Sequence, residues 1–217
     1  MQMTKMASRV VFLFAIIFVM GAQGRVALSE FPAGWNALLP PERDGKPEYS
    51  IFVDRKMKHD GKVSCCIRSE LVDSESAILM QTFKADDYRG KRLRMTAFVK
   101  TEEVKSKLTD GGGAGLMLSA HGEKKGNLVA DHMLTRRIMG TTNWSRWALV
   151  LDIPEDTAMI AFGMSFPGTG KVWVSDFRFE VVGKDVNTTA DTIPQFDVTR
   201  GQLKDLPRKP INLDFEQ

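Results

Sequence analysis

Along most of the chain, apolar and polar residues alternate with a period of two in short runs, each stopped by glycine, proline or a charged turn. This is the pattern of strands with one buried face. Val63 to Ser69 follows the turn His59-Asp60-Gly61, and Ile78 to Phe83 precedes the turn Asp86-Asp87-Tyr88-Arg89-Gly90. Arg92 to Lys100 sets Leu93, Met95, Ala97 and Val99 against Arg94, Thr96 and Phe98. Ala114 to Ala120 comes after Gly111-Gly112-Gly113, Trp147 to Leu151 stops at Asp152-Ile153-Pro154, and Met159 to Phe166 stops at Pro167-Gly168. Lys171 to Val182 offers Trp173, Phe177, Phe179 and Val181 to one side, with Asp176, Arg178 and Glu180 on the other. About seven strands with scarce helical periodicity predict an all-β fold, a two-sheet antiparallel β-sandwich. On this pattern Trp173 joins Phe177 in the core, and Trp35 covers an edge.

The two ends read differently. Lys5 and Arg9 precede an apolar run from Val10 to Met20, followed by Ala22-Gln23-Gly24. That run is well short of the roughly 20 residues of a spanning helix, so residues 1–24 are expected to be a cleaved signal peptide and the mature protein to be secreted or periplasmic, with no membrane span. Loss of Lys5 and Arg9 takes the formal charge from +3 to +1. With charge so balanced and no basic stripe, no nucleic-acid partner is expected. Residues 25–184 form the sandwich domain. Residues 185–217 change composition, with Pro194, Pro207 and Pro210 among charges, and are expected to be an extended tail whose run Pro210-Ile211-Asn212-Leu213-Asp214-Phe215-Glu216 docks as an edge strand. The two cysteines, Cys65 and Cys66, are neighbours on one strand and point to opposite faces, so an ordinary disulfide between them is not expected; one thiol is expected in the core and one partly exposed.

Catalytic signatures fail on spacing. Gly163-Met164-Ser165-Phe166-Pro167 has proline where the nucleophile elbow needs its last glycine. Gly163 and Gly168 have the separation of a phosphate loop, but Thr169 stands at the lysine position. His59, His121 and His132 lack the spacing of a zinc hydrolase. Asp54, Asp60, Asp131 and Asp152 remain candidates for paired carboxylates, although Asp60 and Asp152 sit at turns where they would cap backbone amides. The stretch from Asp131 to Trp147 is the densest in recognition chemistry. Asp131, His132, Arg136, Trp144, Arg146 and Trp147 supply aromatic faces and bidentate polar groups suited to sugars. The same residues also suit packing, with Trp144 plugging the end of the sandwich and Arg136 pairing with Asp131. Sequons occur at Asn143-Trp144-Ser145 and Asn187-Thr188-Thr189.

The runs Ala85-Asp86-Asp87-Tyr88-Arg89-Gly90-Lys91-Arg92, Phe98-Val99-Lys100-Thr101, Gly140-Thr141-Thr142-Asn143-Trp144 and Gly168-Thr169-Gly170-Lys171-Val172-Trp173 resemble a family of galactose-binding-domain-like jelly rolls of bacterial proteins, similar to carbohydrate-binding modules, over about residues 34–182. The resemblance implies a non-catalytic accessory domain that recognises carbohydrate or another cell-surface polymer and requires no cofactor. It further implies a structural calcium ion, for which Asp176 and the turn Gly61-Lys62-Val63-Ser64 would fill two roles; Glu30-Phe31 reverses the residue order expected of the third. The alternatives are an envelope interaction or structural protein without a small-ligand site, and a glycan-acting enzyme using paired carboxylates.

Overall fold

The computed structural model describes residues 31–71, 75–108, 111–123, 126–191 and 203–217. The expected signal peptide lies outside the described residues. Ten strands follow in order: β1 (Asn36–Leu38), β2 (Tyr49–His59), β3 (Lys62–Ser69), β4 (Ala77–Lys84), β5 (Arg92–Lys105), β6 (Gly115–Gly122), β7 (Gly126–Asp131), β8 (Gly140–Asp152), β9 (Thr157–Phe166) and β10 (Thr169–Val182). They form two five-stranded sheets, β1-β4-β9-β6-β7 and β2-β3-β10-β5-β8, with antiparallel pairing throughout. The fold is the expected antiparallel β-sandwich.

The core fills the space between the two sheets. Leu93, Met95, Ala97 and Val99 of β5 face Leu116, Leu118 and Ala120 of β6 and Ile160, Phe162 and Met164 of β9 across this layer, all buried. Within the layer is an aromatic cluster in which Trp35 packs on Phe162, Phe177 and Phe215 with centroids 5.3, 5.2 and 5.1 Å away. Trp35 is therefore a central core residue and not an edge cover: its indole finds apolar rings on every side, while its Nε1–H donates to Asn212 O at 3.0 Å.

Trp173 departs from its expected place. The pairing of β10 with β5 shifts register between Ser175 and Arg178, where Asp176 adopts φ +55°. The bulge inserts an extra residue and reverses the alternation. Phe177 consequently points inward, whereas Trp173, four residues earlier, lies on the outer face with its Nε1–H donating to Asp54 Oδ2 at 2.9 Å.

The tail docks, but not as an edge strand. Residues 206–217 contain no strand, because Asn212 and Phe215 take positive φ values of +47° and +59° that break the extended run. The segment is held instead by individual contacts. The Gln81 side-chain amide donates to Ile211 O and accepts from Ile211 N, at 2.7 and 3.2 Å, Phe177 N donates to Leu213 O at 3.0 Å, and Lys84 N donates to Pro207 O at 2.9 Å.

Candidate functional site

The stretch from Asp131 to Trp147 divides among three environments. Asp131 closes β7 and is fully buried, its carboxylate taken by the Arg136 guanidinium, the Thr189 hydroxyl and Met133 N. Burial pushes this carboxyl up against the opposing pull of Arg136 and Thr189. Arg136 also reaches Asp191, which accepts from His132 N and Leu134 N at 3.1 and 3.0 Å. This network ties residues 189–191 to the end of β7, the loop-holding role expected of the Asp131–Arg136 pair. The His132 ring is half-buried, and desolvation together with the neighbouring Arg137 charge lowers its pKa to about 4.

Trp147 pairs across the ladder with Ala97, so it faces inward; it packs against the core and its Nε1–H donates to Ser145 Oγ at 2.9 Å. Trp144 and Arg146 face outward on the same strand. Trp144 lies 5.4 Å from the His59 ring, which in turn stacks on Phe98 at 3.8 Å. Thus the structure brings Asp131, His132 and Arg136 together, places Trp144 and Arg146 on the opposite sheet's outer face, and leaves Trp147 between the sheets. Trp144 does not plug the end of the sandwich.

Asp176 does not fit a calcium site. Its Oδ1 accepts from Lys62 Nζ at 2.5 Å and its Oδ2 from Arg178 Nε and Nη2 at 3.0 and 2.6 Å. Burial alone would raise this carboxyl, but the two cations outweigh it and hold it below the usual range. A calcium ion would have to displace both positive charges. Among the described residues no group of three or more His, Cys, Asp or Glu side chains converges as a metal set. The candidate carboxylates are likewise scattered. Asp54 serves Trp173, Lys56 N and Met57 N, and Asp152 forms a bidentate pair with Arg92, so neither faces the buried Asp131. Cys65 and Cys66 are both free and both buried, on opposite faces. Cys66 is covered on the outer face, contrary to the expectation of partial exposure, and burial pushes its pKa up to about 12.

An open groove of about 500 Å³ instead crosses the outer face of the second sheet at the end where β3 stops and β10 begins. One cross-strand row supplies its centre: Arg68 of β3 is registered with Lys171 of β10, and Lys171 with Glu102 of β5. Lys171 Nζ pairs with Glu102 Oε1 at 2.6 Å and lies 5.9 Å above the Trp173 ring, while Arg68 pairs with Glu70. The hydrogen bond from Lys171 to Glu102 raises the lysine pKa. Trp173 is 4% exposed, so the ring supports Lys171 from beneath and does not itself line the groove. A second bulge, between Thr169 and Lys171, shapes the wall. It requires Gly170 at φ +107°, where a Cβ would stand 2.6 Å from Glu102 O. Thr169 Oγ1 donates to Ser69 O at 2.9 Å and fastens this wall to β3. Of the groove residues, Thr169, Gly170 and Lys171 fall in a run that carries the family resemblance, but that run marked the fold and not a binding site. Arg68, Glu102 and Lys171 showed in the sequence as charges at outward positions, and they become a site only when the register aligns β3, β10 and β5.

A two-sheet antiparallel β-sandwich with a polar groove open on one face is the class of protein this geometry defines. No family model matches the chain. It is 38% identical over 172 residues to the Uncharacterized HTH-type transcriptional regulator YbfP of Bacillus subtilis (strain 168), a match covering 78% of this chain and 53% of that protein. The chain thus spans about half the length of the curated relative it matches. Among solved structures it is similar to the enzymatically active domain of bacteriophage CBA120 tailspike protein 4, with a TM-score of 0.51 and 10% identity over 69% of this chain and 20% of that one, a likeness of fold alone. The CBM22-1 xylan-binding domain of Paenibacillus barcinonensis Xyn10C superposes with a TM-score of 0.47 and 12% identity, over 70% of this chain and 88% of that domain.

Proposed function

We propose that the protein is an exported, non-catalytic binding module that recognises carbohydrate, or another cell-surface polymer, through the groove over β3, β10 and β5. The observation that carries this reading is the row Arg68, Lys171 and Glu102, fixed by ladder register and opening onto a cavity of about 500 Å³. Charged side chains already held by one another present paired donors and acceptors at fixed spacing, which is how vicinal hydroxyls are bound. A volume in this range suits a sugar-sized ligand.

Affinity electrophoresis of the full chain through gels containing soluble polysaccharides tests the reading. Retardation by at least one polymer is expected, with Lys171→Ala weakening it about tenfold, a loss of about 1.4 kcal/mol. Trp144→Ala is expected to migrate like the wild type. Loss of retardation on Trp144→Ala but not on Lys171→Ala would move the site to β8, and no retardation by any polymer would refute a glycan-binding role.

A further inference from the structure

The groove has a neighbour. A second cavity of about 480 Å³ is lined by Arg43, Asp44, Lys46, Glu48 and Ser50, and it shares Arg68, Ser69 and Glu70 with the first. The Arg68–Glu70 pair is thus a partition between two lobes on the same end of the sheet. We infer that the two lobes are adjacent subsites for a single neutral, hydroxyl-bearing polymer chain that crosses the Arg68–Glu70 pair.

Three observations carry this, on the reading that the first groove binds glycan. The first is charge parity. Arg68, Lys105 and Lys171 face Glu70, Glu102 and Glu103 in one lobe, and Arg43, Lys46 and Arg68 face Asp44, Glu48 and Glu70 in the other. Neither lobe offers the net charge that would draw a polyanion or a polycation. The second is that three ion pairs span the site, Lys171 with Glu102, Arg68 with Glu70 and Arg43 with Glu48, the last at 2.7 Å. An anionic ligand would have to break these pairs, whereas hydroxyls can donate to the carboxylates and accept from the cations without breaking them. The third is Glu48 itself. It is 8% exposed, its Oε1 is taken by Arg43, and its Oε2 is buried without a hydrogen-bond partner. That oxygen lacks a donor, and a small shift of Glu48 toward the lobe it lines would let a ligand hydroxyl supply one where a carboxylate or phosphate would repel.

A chain occupying both lobes gains contacts that a ring occupying one does not. Calorimetric titration of the full chain with neutral gluco-, xylo- and manno-oligosaccharides, from disaccharide to hexasaccharide, and with polygalacturonate as the charged counterpart, reads this directly. Affinity for at least one neutral series is expected to rise at least about tenfold between the shortest and longest members. Glu48→Gln and the exposed Lys46→Ala are each expected to remove most of that rise while leaving the disaccharide affinity unchanged. Lys46→Ala keeps the test decisive if Glu48→Gln fails to fold. Equal affinity for disaccharide and hexasaccharide overturns the two-lobe inference while leaving glycan recognition standing. Tighter binding of polygalacturonate, falling steeply with salt, overturns the neutral-ligand assignment. Absence of binding to every sugar overturns both the inference and the function on which it rests.

Discussion

His132 sits where burial and the Arg137 guanidinium both oppose its protonation, and its pKa falls to about 4 from an ordinary 6.5. Arg137 is itself pulled down to about 10 by burial, and its Nη1 donates to Ser165 Oγ at 2.6 Å. Because the folded-state value lies below the unfolded one, the unfolded chain binds a proton between these limits that the native chain does not. Stability therefore falls as pH drops from about 6.5 to about 4 and levels off below, by at most about 3 kcal/mol from this residue. Urea denaturation of wild type and His132→Asn at pH 7 and pH 4.5 checks it: the variant is expected to lose less stability on acidification, and equal losses would remove the histidine from the account. At this scale the sequence identified Asp131, His132 and Arg136 as a chemically dense group, and the Asp131–Arg136 pairing was legible because the residues are close in the chain. The engagement of Thr189 and Asp191 with the same group was not, since contacts across some 58 residues leave no local pattern.

The strand alternation placed the faces of β5 correctly, because no bulge interrupts Arg92 to Val99. It failed for β10, where one bulge sends Trp173 outward and Phe177 inward, a reversal that period-two reading cannot anticipate. Three strands escaped notice for different reasons. β1 has only three residues, β2 carries the polar run Asp54-Arg55-Lys56 beyond its buried half, and β7 ends in the charged Asp131 that reads as the start of a loop. Within β9, Gly163 shows how closely these strands approach. A Cβ there would stand 1.9 Å from Leu79 O on the neighbouring β4, at φ +154°. Gly163→Ala is expected to cost at least about 3 kcal/mol, as backbone and not a flexible side chain must move. Gly45→Ala, at φ +72° with open space around it, is expected to cost about 1 kcal/mol. Comparable losses from the two in denaturant titrations would count against the close approach of β4 and β9.

For the molecule as a whole, the expected sandwich of two facing sheets is what forms, and its aromatic centre is completed by the tail. Phe215 is fully buried 5.1 Å from Trp35 and 6.3 Å from Phe177. Phe215→Ala is expected to destabilise the protein by about 3 to 5 kcal/mol, with its melting temperature lowered accordingly. Ile211→Ala, nearly half exposed at 48%, is expected to stay within about 1 kcal/mol of wild type. A Phe215 variant as stable as the Ile211 one would mean that the tail is peripheral to the core. The hydrogen bond from Asn212 Nδ2 to Ala33 O, at 3.0 Å, sets two segments 179 positions apart side by side at one corner of the body. A longer polypeptide could therefore carry this body as a pendant, threading in and out through a single point, so that whatever flanks it need not bridge its width.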